Sequence, residues 1–311
     1  MACRYTGRNE ILVPETMSSD RFIQMQNFVR PVASIKKIKM DRDTGLMDTS
    51  DLKSKISSET ASVYFENPTY LGAIETGAHD IVEITKAKGA LATVGVDPIT
   101  LGVISPPSEY GADIVVGDIQ PLGIHMYAGG GLGGFIASND DPDLIAEYNA
   151  LLVSIAPGLR PGEFGFDYST FDRTSYEKRG ISPDYIGTTQ WLWAIIAGVY
   201  LSLMGPVGMK EVGKTIMERS SYASSMLSSI PGIKSPAFPS VFFKEFVMDF
   251  SSTGKTVSEI NTELLERGIF GGFDLSDQFK SLGQSSLYCV TEVHAKDDID
   301  FLVQSLKEVL K

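Results

Sequence analysis

Short β-branched, apolar runs alternate with helix-patterned segments through the first half of the chain, and this alternation limits the fold more than any other feature. The runs cover residues 11–14, 34–40, 62–65, 91–96, 113–116 and 134–137, with helical patterns over 21–29, 49–56 and 78–88. Strands that alternate with helices build a mainly parallel sheet covered on both faces, an α/β fold. Ligands of such sheets gather at the carboxyl ends of the strands. Asn67-Pro68, Asp97-Pro98 and Asp118 each stand at such an end, so their three loops are expected to border one cleft.

The second half is organised differently. Ser138-Asn-Asp-Asp-Pro142 reads as a turn into a helix starting near Asp143, whose acidic residues suit a first turn. Residues 157–189 are rich in Gly, Pro, Asp and Arg and read as one long loop, of a length that usually carries function or an interface. A buried apolar helix is expected over 189–204, ended by Gly205-Pro206, and a second over 207–228. Beyond Pro231-Gly232 come a strand over 241–250, a helix over 256–267 opened by Ser258, and a strand over 286–290. An amphipathic helix over 297–310, acidic at its start and basic at its end, closes the chain. The expected division is a large domain over 1–228 and a small α+β domain over 229–311.

Composition excludes several functions. With 311 residues, 43% of them hydrophobic, the chain can bury a sizeable core. A net charge of -12 opposes nucleic acid and anionic membranes, and Lys36, Lys37 and Lys39 are too small a cluster to reverse this. The apolar run over 191–204 is shorter than the ~18 to 20 residues of a membrane span. Residues 1–10 are polar and mixed in charge, unlike a signal peptide. Two cysteines, Cys3 and Cys289, make no disulfide framework and fit a reducing cytoplasm. The expectation is a soluble cytoplasmic protein with neither nucleic acid nor membrane as partner.

Local motifs are mostly weak. Gly129, Gly131 and Gly134 have dinucleotide-loop spacing, but a strand follows them where a helix is required. Gly254-Lys255-Thr256 lacks the upstream glycine of a phosphate loop. His79, His125 and His294 have no Cys or His neighbours at metal-ligand spacing, so no metal site is expected, and no serine has the nucleophile-elbow context. His125 alone falls near the expected cleft. Asp97 carries more chemistry, because a carboxylate at a strand end can pair with a protonated pyridine nitrogen. An Asp-Pro turn former explains the same residue equally well.

Longer stretches carry a resemblance. Residues 96–117, Val-Asp-Pro-Ile-Thr-Leu-Gly-Val-Ile-Ser-Pro-Pro-Ser-Glu-Tyr-Gly-Ala-Asp-Ile-Val-Val-Gly, resemble the alpha subunit (subunit 1) of the split glycine dehydrogenase (decarboxylating), the P-protein of the glycine cleavage system. So do Glu66-Asn-Pro-Thr-Tyr-Leu-Gly72, Leu203-Met-Gly-Pro-Val-Gly208, Gly268-Ile-Phe-Gly-Gly-Phe-Asp-Leu275 and Leu287-Tyr-Cys-Val-Thr-Glu-Val-His294. The resemblance implies an aminotransferase-like fold, type I of the pyridoxal phosphate (PLP) enzymes. In that family the beta subunit holds the Schiff-base lysine after a histidine. By resemblance Gln120-Pro121 stands at that pair, and residues 89–177 contain no lysine at all. Proline has no amine, so Pro121 marks a chain without the covalent cofactor link, and no residue is assigned a catalytic role.

The same resemblance implies a subunit of an oxidoreductase assembly. Glycine condenses with PLP and loses carbon dioxide, and the aminomethyl group passes to the lipoyl arm of the carrier H-protein. The beta-type partner would bind PLP covalently, while Asn67, Asp97, Gln120 and His125 of this chain are the cleft candidates. Arg173, Lys178 and Arg179 are candidates for an interface or substrate loop, although Phe171–Arg179 departs from the family's basic, histidine-containing run. The family also has a further N-terminal region, which either a separate polypeptide supplies or a remodelled relative has lost together with the original interface. The competing expectation is an inactive scaffold or binding protein that keeps the fold.

Overall fold

The structure, a computed structural model, describes residues 1–126, 132–148, 152–169 and 190–311. Among the described residues the main sheet has six strands: β1 (Glu10–Pro14), β2 (Ser34–Ile38), β3 (Thr60–Asn67), β4 (Leu91–Val96), β5 (Ile114–Asp118) and β6 (Gly134–Ser138). They lie in the order β2-β1-β3-β4-β5-β6, parallel except for the antiparallel β6. All eight residues of β3 are buried, as a central strand covered on both faces requires. Strand order reverses between β1 and β3, which opens a crevice at their carboxyl ends.

Helices α1 (Ala2–Thr6), α2 (Ser19–Val29), α3 (Thr49–Lys55), α4 (Ala78–Lys86) and α5 (Pro142–Ile145) accompany this sheet. Side-chain caps fix several of their starts. Ser18 accepts from the Arg21 amide, Asp48 from those of Ser50 and Asp51, and Asp141 from those of Asp143 and Leu144. Ile81 and Val82 of α4 and Leu52 of α3 pack on Val63, Phe65, Ala92 and Val94 to form the core of one face.

The stretch expected to be a loop begins as a hairpin. Strands β7 (Leu152–Pro157) and β8 (Phe164–Ser169) pair antiparallel, closed by the Gly158 amide donating to the Glu163 carbonyl at 2.7 Å. The alternation Phe164-Gly-Phe166-Asp-Tyr168 is the period-two signal of a strand, hidden beside the glycines and prolines of the turn. Phe164, Phe166, Ile155 and Leu159 are exposed on this hairpin.

Helix α6 (Gln190–Ser228) is broken at Gly205, whose φ of 57° and ψ of -176° leave the helical region just before Pro206. The expectation of a buried helix is met on one face only. Trp193 and Ala197 pack with Ile99, Ile119 and Leu122, whereas Leu192, Ile195, Val199 and Leu203 recur at three- and four-residue intervals along an exposed face. Apolarity alone does not separate a core helix from an interface helix. By length and composition α6 also passes as a membrane span. Its unbroken part before Gly205, however, reaches only about 22 Å at 1.5 Å per residue, short of a ~30 Å hydrocarbon core. Further along, Met209 and Ile216 stay in the same cluster, and Ala223 and Leu227 enter the C-terminal core.

That core lies between an antiparallel sheet and two helices. The sheet consists of β9 (Glu245–Asp249), β10 (Phe273–Asp274) and β11 (Ser285–Cys289) in the order β10-β11-β9, and the helices are α7 (Val257–Leu265) and α8 (Lys296–Val309). Phe246, Met248 and Tyr288 meet Ile260, Leu264, Val303 and Leu306 there. Thr256, not Ser258, opens α7, because its hydroxyl and the Glu259 carboxylate cap each other's backbone amides. The expected strand over 241–250 is shorter at its start, since residues 241–243 bond instead to the loop after β3.

Candidate functional site

A cleft of about 720 Å³ opens at the carboxyl ends of β3, β4 and β5. The N-terminal turn of α2 supplies Ser18, Asp20 and Arg21; the strand ends supply Tyr64, Glu66, Asp97 and Asp118; and the segment entering β9 closes the far wall with Phe243, Lys244 and Glu245. A short clasp places that last segment. The Ile74 amide donates to the Val241 carbonyl at 2.7 Å, and the Phe243 amide to the Gly72 carbonyl at 3.3 Å. Gly72, at φ 90°, is needed here: a Cβ would run into the Glu245 carbonyl.

Two ion pairs cross the cleft. Lys244 Nζ approaches Asp97 Oδ2 at 2.5 Å, and both side chains are mostly buried. Asp97 Oδ1 accepts from the Ile99 amide at 2.9 Å, which caps the 3-10 turn Pro98–Gly102. Arg21 pairs with the buried Glu66 carboxylate, which also accepts from the Tyr64 hydroxyl at 3.0 Å. Burial opposes the charge on Lys244, but Asp97 and Glu245 outweigh it and raise its pKa above the usual lysine value. Burial, reinforced by Asp97 and Glu66, raises the pKa of Glu245 above the usual carboxylate value despite Lys244 and Arg21. Burial and the adjoining Glu66 raise Tyr64 well above the usual phenol value, so it stays a neutral donor.

The sequence-derived candidates separate in three dimensions. Asp97 and Gln120 line the cleft, as does Pro121. Asn67 does not: it is buried beneath the loop, and its Oδ1 accepts from the Glu75 amide at 3.0 Å. A strand-end residue can face either side of the sheet, and Asn67 is used to tie its own loop. His125 also lies off the cleft wall, exposed, with its ring edge-on to Trp193 at 6.4 Å. Arg173, Lys178 and Arg179, and the glycines 129–131, fall outside the described residues. Sequence reasoning missed Arg21, Glu66, Lys244 and Glu245. The one available signal was the charged pair Lys244-Glu245 inside the apolar stretch from Val241 to Phe250.

Comparison with known proteins places this arrangement. The family model described as glycine cleavage system P-protein matches residues 6–306. This chain belongs to the P-protein family. It is 36% identical over 305 residues to the probable glycine dehydrogenase (decarboxylating) subunit 1 of Staphylothermus marinus, covering 98% of this chain and 65% of that protein. The corresponding protein of Saccharolobus solfataricus is also 36% identical, over 100% of this chain and 66% of its own length. The chain thus spans just under two thirds of the curated relatives it matches. The crystal structure of a glycine decarboxylase (P-protein) in inhibitor-bound form superposes with a TM-score of 0.87 at 29% identity, over 99% of this chain and 67% of that one. The fold is the aminotransferase-like, type I architecture of PLP enzymes.

The described lining of this P-protein cleft does not fit PLP. Proline stands at 121 where the resemblance puts the amine, and Lys244 already holds the carboxylate that a protonated ring nitrogen would need. Among the cleft-lining residues, five carboxylates (Asp20, Glu66, Asp97, Asp118, Glu245) face two cations, Arg21 and Lys244, both in ion pairs. A phosphate dianion entering this cleft meets, among the described residues, net negative charge and no uncommitted cation.

Proposed function

We propose that this chain is the non-covalent-cofactor subunit of a glycine dehydrogenase (decarboxylating), and that its partner carries PLP. The observation that carries this reading is the combination at Asp97: the family's fold and cleft are kept, but the carboxylate is charge-paired with Lys244 and position 121 has no amine. Curated relatives bearing the designation subunit 1 support a second subunit as partner. The exposed apolar stripe of α6 supplies a surface for it, because a soluble helix apolar on both faces requires burial on both. In this reading the beta-type subunit performs glycine decarboxylation and passes the aminomethyl group to the lipoyl carrier H-protein. The present chain completes the assembly and the wall of the shared site. The thiols Cys3 and Cys289, both free, suit a cytoplasmic location.

The test is reconstitution. The chain is mixed with the beta-type subunit of the same source, and exchange of labelled carbon dioxide with the glycine carboxyl is measured. A complex that exchanges faster than the beta-type subunit alone supports the proposal. Association without any gain in exchange marks a scaffold, and no association at all removes the proposal.

A further inference from the structure

We infer that Lys244 is the residue that closes this chain's cleft to a cofactor ring, acting as an internal counter-ion to Asp97 in the position a cationic ring nitrogen would need. The inference deepens the reading that PLP belongs to the partner subunit, and rests on it. Both members of the pair are held before any ligand arrives. Asp97 is fixed by the Ile99 amide on its carboxylate and by the Thr100 hydroxyl on its carbonyl at 2.6 Å. Lys244 is fixed through its backbone, because its carbonyl accepts from the Val290 amide at 2.8 Å and the preceding amide is clasped by Gly72. Preorganised partners lose little freedom on pairing, so an incoming cation competes against an ion pair that is already assembled.

The ammonium faces Asp97, Glu245 and the Cys289 thiol. Cys289 is an exposed residue whose sulfur is desolvated and lies beside Glu245, both of which raise its thiol pKa, so it supplies no counter-charge. A ring nitrogen that takes Asp97 therefore leaves the buried ammonium with Glu245 alone. Glu245 itself makes no side-chain hydrogen bond to a described residue that would orient it for that role. Losing a well-placed partner inside a mostly buried site is the costly half of such an exchange. Lys244 lies 147 positions from Asp97 in sequence, on the segment that enters the C-terminal sheet, so the same contact pins that segment to the end of β4.

The test uses pyridoxamine, which has a protonatable ring nitrogen and an amine but no phosphate, so the ring is examined apart from phosphate repulsion. The purified full chain is titrated calorimetrically at neutral pH. The parent chain and Lys244→Arg are expected to bind weakly and alike. Lys244→Ala frees Asp97 and is expected to bind at least about tenfold more tightly, by loss of a competing charge-assisted contact. The double variant Lys244→Ala with Asp97→Asn is expected to lose that gain. Should the alanine variant not fold, Lys244→Gln keeps the stem length and carries the same expectation. Parent binding as tight as that of the folded single variant, a folded variant with no gain, or a gain kept in the double variant each overturns the inference. Failure to associate with the beta-type subunit overturns the functional reading instead, so the two fail separately.

Discussion

Replacing Leu203 by alanine is expected to weaken association with the beta-type subunit while leaving the isolated chain as stable as before. Leu203 is 82% exposed on the outer stripe of α6. Complete burial of a leucine side chain is worth roughly 1.5 to 3 kcal/mol, so covering the exposed part contributes roughly 1 to 2.5 kcal/mol. That corresponds to a rise in Kd of about five- to sixtyfold. In the isolated chain the side chain already sits in water, and alanine is at least as good a helix former. Trp193, on the opposite face and 8% exposed, is the internal control: its replacement by alanine should destabilise the isolated chain by about 3 to 5 kcal/mol. Affinity is read by sedimentation or biolayer interferometry, and stability by thermal melting of each chain alone. If Leu203→Ala and Ile195→Ala both bind like the parent, the partner does not cover this stripe. If Leu203→Ala alone lowers the melting temperature by several degrees, the side chain is packed within its own chain and the premise fails.

Two other outcomes are expected at the cleft. Glu245 has its pKa raised by burial, so its protonated form favours the folded state; stability from this group is full below the ordinary value of 4.5 and is lost as pH rises through the raised value. Glu245→Gln should therefore melt higher than the parent at neutral pH, with the difference closing toward pH 4.5, and a constant difference across that range contradicts the assignment. Gly72→Ala combines a left-handed backbone, costing about 1 to 2 kcal/mol, with an overlap on the Glu245 carbonyl that forces a shift of about 1 to 3 kcal/mol. A urea midpoint equal to the parent's would show that the clasp between the two segments is not needed.

The strands of the main sheet were legible because each is a short run closed by turn residues; burial on both faces holds for the central β3, while the edge strands β2 and β6 are largely exposed. Asp97 and Gln120 reached the cleft because residues at the carboxyl ends of parallel strands have few other places to go. Asn67 has the same address but a different use, since its amide oxygen is consumed by the Glu75 backbone. Side-chain direction at a strand end is set by the path of the following loop, which local sequence does not encode. Lys244 was hidden more deeply. Its meaning comes from a partner on another sheet, and a lysine beside two phenylalanines reads locally as an irregular strand. The hairpin after β6 was lost to composition, because glycine and proline in its turn outweighed the alternating aromatics. On α6 the error ran the other way, as apolar character was taken for burial.

The edge of the main sheet has a consequence for how this molecule behaves without a partner. β2 is one of the two edge strands, with β6 at the other edge, and it carries exposed Lys36 and Lys37 in its middle; Lys36 pairs with Glu10 and Lys37 lies over the Phe22 ring at 4.1 Å. Lysines on an open strand discourage another strand from docking there, because docking would strip water from their charges. The uncovered stripe of α6 has no such guard. Stored alone at high concentration, the chain should therefore cluster through helix faces, in aggregates that dilution or mild detergent disperses, and not by strands docking on the β2 edge.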